Sequence, residues 1–334
     1  MLKNHLIYDK ITKGGVDMAN IALLNRCNLR CPYCFADSYL GSEGDDLKID
    51  TLMELLDFCA DEGTIGLIGG EPLLHKQIDT ILEILKQNMW YHKVTIFTNG
   101  IFLDRVAPSL NHPKFHLLIN VNSKKDIGEK AFSMLEKGIE EALKYLPLQN
   151  VDLGINVYEE NQDFSSLLYL LEKFNLKKLR VSLVIPKDKR EGGIPYFYRM
   201  KKTLLSLYEK IKTLGVCPGY DCNAIPECVF TEEERAFLDT LSYENQFERE
   251  IFTGKRSVCS PVVDIYPDKT ATRCFGMYDR ARVSITDFKS LNDLKNYFFK
   301  EVDCRIINNY PQEKCKDCYK NKTFGCFGGC LCYL

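Results

Sequence analysis

From residue 19 to about residue 214 the chain alternates two patterns. Short runs of consecutive apolar residues lie at 21–24, 65–68, 94–97, 115–121, 151–157 and 179–185, and predict strands. Between and after them, at 50–61, 74–87, 104–110, 128–146, 164–174 and 198–214, apolar positions recur every three to four residues, the helical period. Strands alternating with helices make parallel βα units. Six such units predict an α/β fold, a partial (β/α)6 TIM-like barrel over residues 1–214. The pattern then breaks. Residues 215–256 are turn-rich around Cys217, Cys222 and Cys228 and predict a bridging region. Within it Thr231, with Glu234 three residues on, predicts a capping box at a helix start. Residues 257–334 carry little periodicity and many cysteines, and predict a second, smaller domain.

The chain has 334 residues, 45% hydrophobic and 27% charged, with a formal net charge of −2. That is enough chain for one large and one small core. The near-neutral charge gives no general attraction to nucleic acid or to a membrane surface. The first twenty residues lack the apolar core of a secretion signal, and no apolar run is long enough to span a bilayer. A cytoplasmic protein is expected. Twenty-six residues precede Cys27, too few for a preceding recognition domain of about eighty residues, so a peptide-docking domain is expected to be a separate protein or a different surface.

Fifteen cysteines change the picture. In a cytosolic chain they point to metal or catalysis, not to disulfides. They fall at 27, 31 and 34, at 59, at 217, 222 and 228, and at 259, 274, 304, 315, 318, 326, 330 and 332. Cys59 shares a helix face with Leu52, Leu55 and Leu56 and reads as a small buried hydrophobe. Cys27, Cys31 and Cys34 follow the first strand in a C-x3-C-x2-C loop. Three thiolates leave a four-ligand site one short, which suits an iron–sulfur cluster with one open iron or a zinc knuckle completed from elsewhere. Gly69-Gly70-Glu71-Pro72 follows the second strand, Thr98-Asn99-Gly100 the third, and Asn122-Ser123 the fourth. In β/α barrels the C-terminal strand ends carry the chemistry, so these segments are expected on one rim. The basic run Lys177, Lys178, Arg180, Lys187, Lys189 and Arg190 reads as a solvated rim.

The loop Cys27-Asn-Leu-Arg-Cys31-Pro-Tyr33-Cys34 resembles the C-x3-C-x-(aromatic)-C signature of the radical S-adenosylmethionine (radical SAM) superfamily, with Tyr33 in the aromatic place. The resemblance covers about residues 19–214. It implies a 4Fe–4S cluster on Cys27, Cys31 and Cys34, with S-adenosyl-L-methionine on the fourth iron. The cofactor is expected against Tyr33, Gly69, Gly70, Glu71, Asn99, Asn120 and Asn122, with Glu71 beside its amine. Relatives usually read Ile-Ser-Leu-Asp-Gly at the fourth strand, whereas this chain has Ile119-Asn120-Val121-Asn122-Ser123. The resemblance further implies reductive cleavage of S-adenosylmethionine, hydrogen abstraction by the resulting 5′-deoxyadenosyl radical, and an electron donor such as flavodoxin or ferredoxin.

Eight thiols in the last quarter could hold two four-iron clusters or two zinc ions. Beside the N-terminal motif, the block resembles the SPASM/twitch-like extension of radical SAM enzymes, which carries auxiliary 4Fe–4S clusters. Cys259 and Cys274 flank a short hairpin, as that extension begins. Its usual glycine is replaced, Lys269 and Thr270 following Pro267-Asp268. The resemblance implies Cys259, Cys274 and Cys330 around an inner cluster and Cys315, Cys318 and Cys326 around an outer one, with Cys304 and Cys332 as further metal ligands. Because alternate residues of an extended segment point opposite ways, Cys330 and Cys332 are expected to serve different clusters. The bridge cysteines could be structural, could donate a cluster ligand, or could place a thiol near substrate. SPASM relatives commonly modify peptides or proteins, so oxidative maturation of a peptide or protein side chain is the first functional expectation. Oxidation of a small-molecule alcohol is a second. Metal binding without turnover is a third.

Overall fold

The computed structural model describes residues 18–36, 40, 46–220, 222–259, 262–309, 312–323 and 325–333. In chain order the strands are β1 (Ala19–Ala22), β2 (Thr64–Ile68), β3 (Lys93–Thr98), β4 (Phe115–Asn120), β5 (Val151–Val157), β6 (Lys178–Leu183), β7 (Cys217–Tyr220), β8 (Asp264–Ile265), β9 (Thr270–Thr272) and β10 (Arg282–Ser284). The helices are α1 (Ile49–Phe58), α2 (Ile78–Gln87), α3 (Leu103–Val106), α4 (Lys124–Ala142), α5 (Ser165–Lys173), α6 (Ile194–Thr213), α7 (Glu232–Leu238), α8 (Gln246–Phe252), α9 (Leu291–Tyr297), α10 (Cys304–Asn309) and α11 (Tyr319–Lys322). The fold is α/β, as the alternating pattern predicts. Two compact units form, one of Asp17–Leu153 with Val262–Asn296, the other chiefly of Gly154–Pro261 with Tyr297–Leu334.

In the first unit β1, β2, β3 and β4 are parallel neighbours, with Ala22 opposite Ile68, Leu67 opposite Ile96 and Thr98 opposite Ile119. Ile21, Ile65, Leu67, Val94, Ile96, Leu117 and Ile119 are all buried, as parallel strands covered on both faces require. Helices α1 and α2 turn Leu52, Leu55, Leu56 and Ile78, Ile81, Leu82, Leu85 inward. Cys59, just past α1, is fully buried. The hairpin between Cys259 and Cys274 belongs to this unit: β8 pairs in parallel with β1, and β9 pairs antiparallel with β8 and with β10. The side chain of Asn20 on β1 donates to Asp264 at 2.7 Å across that new edge.

Sequence boundaries move by a few residues. The first apolar run is 21–24, yet the ladder with β2 spans Ala19–Ala22. Leu23 and Leu24 are buried while the chain turns out toward the cysteine loop. Helix α4 starts at Lys124, capped by Ser123, with a break at Gly128 where the backbone is left-handed.

In the second unit β6 gains a parallel neighbour that the sequence pattern missed. Strand β7 contains Pro218 and Gly219, residues that usually argue against a strand, yet it pairs with β6 from Lys178–Cys217 to Val181. Proline is tolerated in an edge strand, where its missing N–H costs no ladder bond. Two members of the basic run pair at the surface, Lys178 with Glu244 and Arg190 with Asp188, while the half-buried Arg180 donates to Asn156.

Candidate metal and cofactor centre

Cys27, Cys31 and Cys34 lie half-buried on the loop that leaves β1. A turn closes from the Cys34 N–H to the Cys31 carbonyl at 3.1 Å, and the Arg30 guanidinium holds the Cys27 carbonyl at 2.9 Å. Arg26 anchors the stem of the loop by a two-point pair with Asp46, at 2.8 and 3.0 Å, and a bond to the Leu74 carbonyl. Burial raises the Cys27 thiol, and pushes Cys31 up to about 12 with Cys34 and Cys27 adding to the effect. Three soft donors that repel one another as thiolates fit a group whose positive charge keeps them deprotonated.

The Gly69-Gly70-Glu71 turn after β2 lies directly on the stem of this loop. The Gly70 N–H donates to Leu24 and the Glu71 N–H to Arg26, at 2.9 and 2.8 Å. A β-carbon on Gly70 would sit 2.1 Å from the Arg26 carbonyl oxygen, and one on Gly69 would sit 2.6 Å from that of Leu24. No side chain fits at either position. The Glu71 side chain points inward and is 1% exposed. Its carboxylate accepts from the Leu73 N–H at 3.1 Å, the Thr98 hydroxyl at 2.7 Å and the Asn99 N–H at 2.8 Å. Glu71 therefore fastens the end of β2 to the end of β3.

Asn99 completes that link. Its side-chain amide donates to Asn28 at 2.9 Å and lies 4.0 Å from the Cys27 sulfur. From the end of β4, Asn120 and Asn122 both reach the Tyr33 hydroxyl. Asn120 donates to it at 2.8 Å, and it donates to the Asn122 carbonyl oxygen at 2.5 Å. The two asparagines at the fourth strand thus hold the aromatic residue of the cysteine loop. The structure brings Cys27, Cys31, Cys34, Tyr33, Gly69, Gly70, Glu71, Asn99, Asn120 and Asn122 together at the C-terminal ends of β1–β4. Sequence reasoning missed Arg26, Asn28 and Asp46, which have no motif of their own. On the same unit the Phe35 ring stacks 4.3 Å from that of Phe275, placing the residue after Cys274 against the residue after Cys34.

The second unit gathers the other cysteines. The Cys330 thiol lies 3.2 Å from that of Cys332 and is also hydrogen-bonded to Cys222 and Cys259, which hold it well below the ordinary thiol range. Cys330 and Cys332 were expected to point apart. They meet because Leu331–Tyr333 forms a 3-10 turn, not an extended segment. Cys315 and Cys326 are buried, and each feels the charges of Cys228 and Cys318. Cys304 is buried at the start of α10, where burial and the Asp303 carboxylate raise its thiol, and neither group of cysteines includes it. The Cys217 thiol donates to the Ser242 carbonyl at 3.2 Å. Among the described residues, no three His, Cys, Asp or Glu side chains close around one point as a single metal ion needs.

The Radical SAM superfamily model matches residues 21–168. GTP 3′,8-cyclase of Helicobacter pylori is 31% identical over 214 residues, which are 60% of this chain and 65% of that enzyme. The enzyme of the same name from Moorella thermoacetica is 35% identical over 99 residues, 28% of this chain and 31% of that one. The chain thus spans less than two thirds of these relatives. Among solved structures, Streptococcus suis SuiB bound to its precursor peptide SuiA superposes with a TM-score of 0.60 at 14% identity, over 98% of this chain and 76% of SuiB. The enzyme anSMEcpe with bound AdoMet superposes with a TM-score of 0.65 at 18% identity, over 94% of this chain and 88% of that one. The fold is therefore a partial α/β barrel of parallel strands followed by a cysteine-rich C-terminal region, as in SPASM enzymes. No helix among the described residues is long and apolar enough to cross a membrane.

Proposed function

The chain belongs to the radical SAM superfamily, and we propose that it is a cytoplasmic radical enzyme that oxidatively modifies a side chain of a peptide or protein. One observation carries this proposal. The likeness to SuiB, solved with a precursor peptide, and to anSMEcpe, also solved with peptides, extends through the C-terminal cysteine block and not only the barrel.

When bound, a 4Fe–4S cluster with S-adenosyl-L-methionine supplies one-electron chemistry able to remove a hydrogen atom from an unactivated carbon. Cys27, Cys31 and Cys34 would hold three irons of that cluster. Gly69 and Gly70 bring backbone against the loop stem where any side chain would collide, and Glu71 locks that turn to β3. Asn99 stands beside the Cys27 sulfur and fixes Asn28. Tyr33, held by Asn120 and Asn122, braces the loop from the opposite strand. The chain's own contribution is a rigid rim that orients cofactor and substrate. The C-terminal cysteines would hold auxiliary clusters able to take up the electron that a net oxidation releases.

A second reading comes from the sequence relatives, whose name points to a purine nucleotide as substrate. Anaerobically reconstituted protein with S-adenosylmethionine and reduced flavodoxin separates the two. A candidate precursor peptide, encoded beside this chain's gene, should stimulate 5′-deoxyadenosine formation and lose two hydrogens or gain a crosslink by mass spectrometry. Consumption of GTP with no change in such peptides would establish the second reading. Absence of 5′-deoxyadenosine under every condition would remove the enzyme assignment.

A further inference from the structure

We propose that the bridge cysteines divide between two metal sites: Cys222 joins Cys259, Cys330 and Cys332, and Cys228 joins Cys315, Cys318 and Cys326. Each set of four would then hold one iron–sulfur cluster with every iron ligated by this chain. The assignment rests on reading the C-terminal block as iron–sulfur ligands.

Three segments of the second unit carry these residues, and hydrogen bonds outside the thiols join them. The Asn223 amide, next to Cys222, donates to the Tyr333 hydroxyl, next to Cys332, at 2.5 Å, and to the Leu183 carbonyl at 3.0 Å. Asn223 adopts a left-handed backbone with φ of 62°, which turns the chain sharply just after Cys222. The Ser257 hydroxyl, two residues before Cys259, donates to the Ala224 carbonyl at 3.3 Å. Cys222, Cys259 and Cys332 are thus brought to Cys330 by backbone and neighbouring side chains, not by the thiols alone.

The second set is built separately. Glu227, next to Cys228, pairs with Lys320, which lies between Cys318 and Cys326. The Glu227 N–H donates to the Gly254 carbonyl at 3.0 Å, and the Phe327 N–H to the Ser257 carbonyl at 2.8 Å. Gly328 is the floor of this set. Its N–H donates to the Cys326 sulfur at 3.3 Å, and a β-carbon there would lie 2.7 Å from the Cys315 sulfur. With φ of +79° Gly328 adopts a backbone that side chains resist, so it admits the Cys315 thiol. The Cys315 and Cys326 thiols thus meet on one glycine, and the Glu227–Lys320 pair brings Cys228 to the segment that carries Cys318 and Cys326.

Four thiolates in each set match the ligand number of a four-iron cluster. Neither cluster then has an open iron to bind a substrate thiolate. Any role in turnover is confined to electron transfer.

The test uses full-length protein, reconstituted anaerobically with iron and sulfide. Iodoacetamide labelling of the loaded and iron-free wild-type chain, read by peptide mass spectrometry, should show Cys222 and Cys228 protected only when loaded, and Cys217 labelled in both. In a Cys27, Cys31 and Cys34→Ala background, Cys222→Ala and Cys330→Ala should remove the same Mössbauer and EPR signal. Cys228→Ala and Cys315→Ala should remove the other, and each single change should lower iron from about eight to about four per chain. Retention of the untouched signal shows that each variant folds. Labelling of Cys222 and Cys228 in loaded protein would overturn the proposal. So would loss of the Cys330 signal in Cys274→Ala but not in Cys222→Ala. Bound metal without acid-labile sulfide would overturn the underlying iron–sulfur reading as well.

Discussion

A carboxylate with no exposure to water costs free energy unless its surroundings repay the lost hydration. Around Glu71 the repayment is three neutral donors, and burial nevertheless pushes its carboxyl up to about 7. Two outcomes follow for cofactor-free protein. Glu71→Gln turns one acceptor oxygen into an NH2 group facing the Asn99 N–H or the Thr98 and Leu73 donors, and leaves a donor unpaired. Chemical denaturation should show a loss of about 1–3 kcal/mol. An unchanged midpoint with weaker S-adenosylmethionine binding would instead make the side chain a direct cofactor contact. The second outcome concerns pH. Because the folded-state value lies above the unfolded one, the native chain binds more protons, and this group's contribution to stability falls as pH rises between about 4.5 and about 7. A shift of this size corresponds to at most about 3 kcal/mol over that window. The difference in stability between wild type and Glu71→Gln should therefore shrink as pH rises through that window, where the acidic form favours the wild type most. At this scale the sequence located the motif residues but not the donors that orient them. Glu71 was expected to face the amine of a cofactor, and its direction is set by the Thr98 and Asn99 donors at the end of another strand.

Elements were legible where a pattern repeats and illegible where one residue sets the geometry. The βα alternation placed β1–β6 because parallel strands buried on both faces read as continuous apolar runs. Strand β7 was missed because Pro218 and Gly219 mask four residues whose pairing depends on the neighbouring β6. The capping box on α7 was visible and forms in full, the Thr231 hydroxyl accepting from the Glu234 N–H and the Glu234 carboxylate accepting from the Thr231 N–H. The hairpin β8–β9 shows the opposite case. Where a glycine is usual, Lys269 takes a left-handed backbone with φ of 59°, and its ammonium pairs with Glu54. That backbone costs a side-chain-bearing residue about 1–2 kcal/mol, and an exposed ion pair returns less than about 1 kcal/mol. Lys269→Gly should consequently raise stability by about 0.5–1 kcal/mol in thermal or chemical unfolding. A loss would show that the Glu54 pair outweighs the strain.

At the scale of the whole molecule, chemistry and architecture divide along the same line. The unit built on β1–β4 carries the three-cysteine loop, and Arg26, Asp46, Asn99, Asn120 and Asn122, which hold it, belong to that unit. On the assignment proposed above, the second unit builds both four-cysteine sets from the loop after β7, the segment before β8 and the C-terminal turns. The sequence showed three groups of cysteines but could not show how the last two interleave, because residues 222 and 330 are joined only by folding. Ligand sets made within separate units should load independently. Anaerobically reconstituted wild-type protein is expected to contain about twelve irons with matching sulfide, from three four-iron groups. Replacing Cys27, Cys31 and Cys34 with Ala should lower this to about eight, abolish reductive cleavage of S-adenosylmethionine, and leave the spectra of the remaining clusters unchanged. Replacing Cys222 and Cys228 together should remove about eight irons and leave the open-iron cluster able to form. Cleavage of S-adenosylmethionine without substrate should persist in that variant, since the loop, the Gly69-Gly70-Glu71 turn and Asn99 are untouched. Loss of all twelve irons from either variant would show that the two units assemble their clusters as one cooperative event.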